Sequence, residues 1–312
     1  MKVITLGINE SFHSGKSLQE MLEWSVKKCY SLASQKPDMI VFPEVLFRMP
    51  PFDMSQWNPF FTVANESFAQ AAREIGCYIV YNWYEPHEFD SEKRYNTTVM
   101  LNKQGEVVAK YRKIHTVYEE CEERKVVPGS EVCVVDTEFG RIGFATCFDI
   151  GWRDLWNELE KKGAQAVIWT SAYDGGNLLE SYAAIHMYWV ISSVRTYHAR
   201  IIDPLGRTVA ESARWDTCAI ADIDLQTEVF HIDRQYKKIE DVRNALGGQV
   251  EIHTLSEANV FTISSKDPSW PMGRIKEEFG LMSYRDYHAE ATAKQNEWRE
   301  KYSLREKTIR KI

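Results

Sequence analysis

Three residues with side chains suited to covalent catalysis each lie close behind an apolar segment. Glu44 directly follows residues 40–43, Lys113 lies in the basic string KYRKIH after the apolar pair 107–108, and Cys147 ends the segment GFAT. Such short apolar runs predict buried strands, and α/β proteins place their ligands at the carboxyl ends of strands. A carboxylate, an ammonium group and a thiol at one edge would supply a base, a charge that stabilises an anion, and a nucleophile.

Each of these residues alone also has a purely structural explanation. Glu44 would serve equally as a loop carboxylate that caps a backbone amide, and a basic string is common on an exposed strand edge. Cys147 would be an inert buried cysteine, since free cysteines are often buried. In the catalytic interpretation, burial raises the pKa of Glu44, and a turn into a helix N-terminus favours the thiolate of Cys147.

The elements that must position these residues alternate between strands and amphipathic helices. Ser17 and Glu20 form a capping-box pattern at the start of a helix, and residues 39–42 form a continuous apolar strand. Residues 97–101 and 107–111 predict a hairpin around a glycine-containing loop. The pattern predicts an α/β protein whose sheets are covered by helices.

Composition narrows the classes of function. The chain has 312 residues, 44% of them hydrophobic, which is enough for a sizeable core. Its formal net charge of −7 argues against nucleic-acid binding, and no apolar run is long enough to span a membrane. The first residues lack the layout of a signal peptide, and six cysteines without a CxxC pair predict free thiols in the cytoplasm. The eight histidines show no zinc-binding spacing, so we predict no metal and no cofactor.

Taken together, the three segments resemble a known family. VFPE (41–44), YRKIH (111–115) and GFATCFDIGWRD (143–154) occur in the order typical of the nitrilase superfamily of carbon–nitrogen hydrolases. The string RYNTTVMLNKQGEVVAKYRKIH (94–115) resembles the hairpin that leads to that family's lysine, and the resemblance covers roughly residues 1–225. It implies a four-layer α-β-β-α sandwich of the nitrilase type, assembled into homodimers or larger homo-oligomers.

The resemblance also implies residue roles. Glu44 would be the general base, Lys113 its cationic partner and Cys147 the nucleophile. The family's second glutamate lies six positions before the proline of a Pro-Gly turn, which here is Pro128 and selects Glu122. Its identity stays open, because further glutamates lie beside it: Glu119, Glu120 and Glu123.

The residues around the cysteine indicate a branch of the family. Nitrile-cleaving relatives usually follow their cysteine with Trp-Glu, whereas this chain has Phe148 and Asp149, which resembles the amidase and carbamoyl-amide branches. We therefore expect hydrolysis of a small linear amide or N-carbamoyl compound through a thioester. The predicted substrate-binding residues are Phe148, Trp152, Arg153 and Tyr173. Arg153 would bind a substrate carboxylate or form a surface ion pair.

Several alternatives remain at this point. A nitrilase, or an acyl transferase that passes the same thioester to an amine, would use the same three residues, and a non-enzymatic binding protein would keep only the fold. The predicted hydrolase domain covers residues 1–265, and residues 266–312 form a C-terminal extension. In that extension, residues 283–302 predict a long polar helix whose thin apolar stripe would pack on the body or on a second subunit.

Overall fold

The computed structural model describes residues 1–47 and 54–309, which form two compact units. The first unit covers residues 1–225 and the second begins at residue 226. The second unit contains the predicted extension from residue 266 together with three strands that precede it in the chain.

The first unit consists of strands and helices in alternation. Its strands are β1 (Lys2–Leu6), β2 (Met39–Val41), β3 (Tyr78–Pro86), β4 (Arg94–Leu101), β5 (Val107–Arg112), β6 (Val134–Thr137), β7 (Gly140–Thr146), β8 (Ala166–Ser171), β9 (Trp189–Val194), β10 (Arg200–Ile202), β11 (Thr208–Glu211) and β12 (Cys218–Asp222). Its α-helices are α1 (Leu18–Leu32), α2 (Met54–Ile75), α3 (Tyr118–Glu122), α4 (Arg153–Lys161) and α5 (Leu178–His186). Short 3₁₀ helices cover Glu10–His13, Ala33–Gln35 and Cys147–Gly151.

In the described part of the chain, these strands form two six-stranded mixed sheets. The first sheet has the order β12-β1-β2-β3-β4-β5, with β1, β2 and β3 parallel and the other pairs antiparallel. The second has the order β11-β10-β9-β8-β7-β6, with β7, β8 and β9 parallel. The carboxyl ends of β2 and β7 therefore each lie in the parallel centre of a sheet.

Both faces of each sheet are buried. In β2, Met39 and Val41 join the core between the two sheets, while Ile40 joins the core under α1 and α2. In β8, Ile168 faces the other sheet, and Trp169 packs with the residues of α4 and α5. This period-two alternation with both faces apolar explains why the central strands appear in the sequence as continuous apolar runs. The predicted four-layer α-β-β-α sandwich is confirmed.

Local sequence signals also hold in the structure. The capping box forms at the start of α1, where the Ser17 hydroxyl accepts from the Glu20 N–H at 3.2 Å and the Ser17 N–H donates to the Glu20 carboxylate at 2.8 Å. The predicted hairpin is β4–β5, and its turn contains Gly105 at φ 75°, the left-handed region that favours glycine. A Cβ there would lie 2.6 Å from the carbonyl oxygen of Ala69, so the site also excludes a side chain.

The second unit has its own sheet and core. A three-stranded antiparallel sheet has the order β13 (Glu228–His231), β15 (Val260–Ser265) and β14 (Val250–Leu255). The helices of this unit are α6 (Lys238–Leu246), α7 (Met272–Phe279) and α8 (Tyr284–Ile309), with 3₁₀ turns at Gly247–Gln249 and Ser256–Ala258. Phe230, Val242 and Phe261 are buried together in its core. No helix within residues 1–47 and 54–309 is long and apolar enough to cross a membrane.

Candidate active site

The three predicted residues lie just past the carboxyl ends of strands in the two facing sheets. Glu44 follows β2 and Lys113 follows β5 in the first sheet, and Cys147 follows β7 in the second. All three are buried, with exposures of 2%, 1% and 8%. Because the sheets pack face to face, these strand ends bring a carboxylate, an ammonium group and a thiol into one buried group.

Lys113 is the centre of this group. Its Nζ donates to Glu44 Oε1 at 3.1 Å and to Glu120 Oε2 at 2.7 Å. Its backbone is also fixed, since its N–H donates to the Asn96 carbonyl and its own carbonyl accepts from the Gly129 N–H, both at 2.8 Å. Burial alone would lower the pKa of Lys113, but Glu44, Cys147 and Glu120 outweigh it and raise the pKa above its usual value. The side chain therefore remains an ammonium ion at neutral pH.

The structure does not bring Glu122 to Lys113. Glu120 occupies that place: it is 3% exposed, and its Oε2 also accepts from the Val117 N–H at 3.0 Å. Glu122 lies two positions further along α3, about 200° around the helix axis, and is exposed. Counting back from Pro128 failed because the acidic string EECEE carries no apolar period that distinguishes its inner face from its outer face.

Cys147 has an unusual backbone conformation for its residue type. Its φ is 50°, in the left-handed region, which costs a non-glycine residue about 1–2 kcal/mol. Neighbouring hydrogen bonds hold the turn: Trp169 Nε1 donates to the Cys147 carbonyl at 3.1 Å, and the N–H of Thr146 donates to Asp149 Oδ2 at 2.8 Å. Strain that the surroundings maintain in this way is typical of functional positions.

The pKa values of Cys147 and Glu44 shift in opposite directions. Burial, and then the charge of Glu44, raise the pKa of the Cys147 thiol to about 12, although Lys113 partly opposes them. Burial also acts to raise the pKa of Glu44, but Lys113, Arg195 and Asn96 outweigh it and hold that pKa below its usual value. The directions differ from both sequence expectations: the pKa of Glu44 is lowered where burial was expected to raise it, and the pKa of Cys147 is raised where the turn was expected to favour the thiolate.

Two further residues of the group were not found from the sequence. Asn96, fully buried in β4, donates through Nδ2 to Glu44 Oε1 at 2.8 Å and to Glu120 Oε1 at 2.9 Å. Arg195, 7% exposed and directly after β9, lowers the pKa of Glu44 through its charge. Asn96 lies in a strand that also contains Arg94, Thr97 and Thr98, and Arg195 follows a strand with two serines, so neither residue stood out from its surroundings in the sequence.

A third buried carboxylate, that of Asp149, connects the turn of Cys147 to the end of β5. Asp149 is fully buried and accepts from the Tyr111 hydroxyl at 2.6 Å and from the His115 N–H at 2.8 Å. The same carboxylate caps the Thr146 N–H, as described above. The strand ends that carry Lys113 and Cys147 are thereby joined across the two sheets through one side chain.

Three of the four predicted substrate-binding residues are half-exposed aromatic residues near this group. Phe148 contacts Trp152 edge-on at 4.9 Å, and Trp152 stacks on His115 at 4.4 Å. Burial, followed by the charges of Cys147 and Glu44, raises the pKa of Tyr173 to about 12, so this phenol is neutral beside the thiol. The fourth residue, Arg153, is exposed at the start of α4.

No group of three or more histidine, cysteine, aspartate or glutamate side chains suited to a metal ion occurs within the described residues. The side chains of the catalytic group themselves supply a carboxylate that can accept a proton, a buried thiol that can attack, and an ammonium ion that can stabilise negative charge.

This geometry agrees with the comparison of the chain with known protein families. The model of the carbon–nitrogen hydrolase family matches residues 11–229, which include the described catalytic candidates. The chain therefore belongs to the carbon–nitrogen hydrolase family. The resemblance to the nitrilase superfamily is confirmed.

Curated proteins that are similar to the chain include amidases. The chain is 29% identical over 188 residues to a human protein named deaminated glutathione amidase, covering 51% of this chain and 58% of that protein. It is 28% identical over 189 residues to an omega-amidase of Xenopus tropicalis, covering 52% and 67% of the two chains. The chain thus spans little more than half the length of the human relative.

Solved structures show the same fold. Nit3 of Saccharomyces cerevisiae, a member of branch 10 of the nitrilase superfamily, has a TM-score of 0.62 at 21% identity, covering 80% of this chain and 94% of that one. An amidase from Nesterenkonia sp. has a TM-score of 0.63 at 19% identity, covering 77% and 95%. A glutamate-to-glutamine mutant of the Nesterenkonia amidase carries the acetamide moiety of fluoroacetamide covalently at its active-site cysteine (TM-score 0.63, 18% identity, covering 72% and 90%).

Proposed function

We propose that this protein is an amidase that hydrolyses a small linear amide through a thioester on Cys147. The observation that carries the proposal is the buried ammonium group of Lys113. It donates hydrogen bonds to Glu44 and Glu120, and its charge acts to lower the pKa of the Cys147 thiol. Burying two carboxylates with a cation costs several kcal/mol in desolvation unless each charge is matched. Buried charges that are kept at this cost beside a cysteine in a strained conformation favour an enzyme over a non-enzymatic binding protein.

The first step forms a tetrahedral intermediate on Cys147 Sγ. Glu44 accepts the thiol proton as Cys147 Sγ attacks the amide carbon, which fits the raised pKa of the thiol and the lowered pKa of the carboxylate. Proton transfer of this kind contributes roughly 10²–10⁴-fold to the rate. Lys113 Nζ stabilises the oxyanion together with the N–H of Phe148, which lies in the first turn of its 3₁₀ helix and has no intrahelical acceptor. One such donor is worth about 2.7–4 kcal/mol.

The second step releases the amine and then the acid. Glu44 returns its proton to the leaving nitrogen, the carbon–nitrogen bond breaks, and ammonia or an amine departs, which leaves the acyl group on Cys147 as a thioester. Water then attacks the thioester carbon and gives a proton to Glu44. The carbon–sulfur bond breaks as the carboxylic acid forms, and Glu44 returns that proton to the Cys147 sulfur. Glu120 takes the role first given to Glu122: it holds Lys113 through its Oε2 and faces the same space as Glu44.

The names of the relatives and the side chains near Cys147 support the proposed substrate class. Omega-amidases and deaminated glutathione amidase are named for amide substrates, which favours an amide over the N-carbamoyl compounds of the ureidopropionase type. Phe148, Trp152 and Tyr173 would line the entrance and pack on the apolar part of a small substrate. Arg195 supplies a buried positive charge beside Glu44, so it replaces the exposed Arg153 as the group we propose for a substrate carboxylate.

A product assay tests the proposal. The protein is incubated with a panel of short ω-amides, N-carbamoyl amino acids and nitriles, with and without hydroxylamine, and the products are identified by mass spectrometry. We expect acid and ammonia from the amides. Exclusive formation of hydroxamate would instead identify an acyl transferase, and turnover of nitriles alone would identify a nitrilase. Cys218→Ala, which removes a partly buried cysteine of β12, is the matched control for Cys147→Ala.

We also propose a homodimer or larger homo-oligomer in which the predicted extension, residues 266–312, forms an interface. Helix α8 begins at Tyr284, close to the predicted start at 283, and almost all of its described positions are exposed. Trp298 is 54% exposed on this helix, and an indole left in water favours a partner surface.

A further inference from the structure

A single buried amide joins the two carboxylates on either side of Lys113. Asn96 Nδ2 donates one hydrogen bond to Glu44 at 2.8 Å and another to Glu120 at 2.9 Å. An amide nitrogen has two protons, so these two bonds use its full donor capacity. Since Asn96 is fully buried, no water replaces either bond.

The orientation of this amide is dictated by a backbone group. The N–H of Val45 donates to Asn82 Oδ1 at 2.8 Å, and a backbone N–H is only ever a donor. Asn82 must therefore present its nitrogen on its other side, where it donates to Asn96 Oδ1 and to Thr98 Oγ1, both at 2.9 Å. With its oxygen occupied by Asn82, Asn96 can direct only its nitrogen toward the carboxylates.

The same asparagine holds the chain next to Glu44. Val45 has φ 46°, a costly conformation for a β-branched residue, and its N–H is the donor to Asn82 Oδ1. The backbone carbonyl of Asn82 also accepts from the Leu46 N–H at 2.9 Å. Asn82 thus fixes the strained residue that follows Glu44, while Asn96 fixes the Glu44 side chain.

We infer that Asn96, oriented by Asn82, is a positioning residue that sets the place of Glu44 and Glu120 on either side of Lys113. This inference rests on the proposed role of Glu44 as the base for Cys147. A donor to a carboxylate favours its charged form, so Asn96 makes Glu44 available as a base at lower pH. Among the described residues, the charged or titratable groups around Glu44 are Tyr84, Lys113, Glu120, Cys147, Tyr173 and Arg195.

The test follows the rate of Cys147 alkylation by iodoacetamide against pH, which requires no substrate. The variants are Asn96→Ala, which removes both donors, and Asn82→Asp, which keeps the acceptor for Val45 but removes the donor to Asn96. We expect both to move the acidic limb of the alkylation profile to higher pH. We also expect both to lower kcat/KM at neutral pH by roughly 10- to 100-fold, the range of a hydrogen bond to a charged group.

Asn65→Ala is the matched control. Asn65 lies on α2 and accepts from the hydroxyl of Tyr81 in β3 at 2.6 Å, on the face of the first sheet that α2 covers. It removes a partly buried asparagine bond without touching the site, so its acidic limb should coincide with that of the unmodified protein. Asn96→Ser, which keeps a smaller hydrogen-bonding side chain, replaces Asn96→Ala if the alanine variant does not fold, and melting temperatures are recorded for every variant.

The outcomes separate the inference from the proposed function. If the unmodified protein hydrolyses no amide but the alkylation limb shifts in both variants, the proposed function fails and the positioning role stands. If the limb stays in place in Asn96 and Asn82 variants that fold, the positioning role is wrong whatever the turnover. An equal shift in Asn65→Ala would also overturn it, since the effect would then follow from general loosening.

Discussion

Charged side chains in two regions of the molecule have opposite surroundings. At the strand ends of the first unit, Lys113 and its two carboxylate partners are at most 4% exposed. On α8 of the second unit, Lys294 and Glu297 pair at 2.9 Å while 69% and 62% exposed. The pair distances are similar, but a broken buried pair costs about 3–5 kcal/mol and an exposed pair contributes about 0–1 kcal/mol. Burial, rather than the distance between the paired atoms, distinguishes the candidate catalytic charges from the exposed ones.

The largest expected effect comes from removing the central cation. Lys113→Ala leaves Glu44 and Glu120 buried without their ammonium partner, so we expect a loss of roughly 3–5 kcal/mol in the free energy of unfolding and loss of amide turnover. Lys294→Ala is the matched control and should change stability by less than about 0.5 kcal/mol. Denaturant unfolding and kcat/KM measure both. Equal effects of the two substitutions would remove the contrast between the regions.

The next effect separates the two faces of α3. Glu120→Gln keeps the shape of the side chain but removes the charge that faces Lys113, and we expect kcat to fall by roughly 10²-fold because the interaction matters most as charge develops in the transition state. Glu122→Gln, on the exposed face, should keep its activity. Steady-state kinetics on whichever amide proves active decide this. A loss confined to Glu122 would restore the assignment by the Pro128 turn and contradict the geometry.

The dependence of stability on pH follows from the same group. The pKa of Glu44 is below its unfolded value of about 4.3, so its contribution to stability is fully present above that pH and is lost as the pH falls toward the folded value. The pKa of Lys113 is raised, so its contribution is present below about pH 10.4 and is lost as the pH rises through the folded value.

We therefore expect the melting temperature to decrease as the pH is lowered below about 4.3. In Glu44→Gln the part of that fall that comes from Glu44 should disappear, whereas Glu122→Gln should follow the unmodified protein. Thermal scans from acidic to neutral pH measure this. A melting temperature that instead rises as the pH is lowered from neutral, with this rise absent in Glu44→Gln, would show that the pKa of Glu44 is raised rather than lowered.

The smallest expected effect on the catalytic unit comes from shortening α8. Deleting residues 292–312 keeps the hydrogen bond at 2.9 Å between Tyr287 and Asp233, which lies within the second unit. We expect light scattering to show fewer subunits in each assembly, and we expect kcat/KM to be nearly unchanged. An assembly of unchanged mass would place the interface elsewhere.

The strand ends could be predicted from the sequence because local patterns specify them. Glu44 and Cys147 directly follow apolar runs, and Lys113 follows the predicted hairpin, so local patterns indicate where these strands stop; the order of the three segments identifies the family. The choice of Glu120 over Glu122 could not be predicted, since it depends on which face of a five-residue helix turns inward.

The rest of the site depends on distances between segments remote in the chain. Asn96 joins Glu44 across 52 positions and Glu120 across 24, and no local period records such pairings. The direction of the Glu44 pKa shift likewise depends on whether the cations outweigh burial, which requires the position of Arg195. The start of the second unit at residue 226 also lacks a local signal, since its strands are short and alternate like those before them.

The most direct test of the central claim is to locate the covalent intermediate. Glu44→Gln protein, which should form the thioester poorly but also hydrolyse it slowly, is mixed with an active amide, quenched in acid, digested and mapped by mass spectrometry beside the unmodified protein and Cys147→Ala. The account predicts an acyl group on the peptide that contains Cys147 and none in the Cys147→Ala digest. An acyl group on another residue, or full turnover by Cys147→Ala, would contradict it.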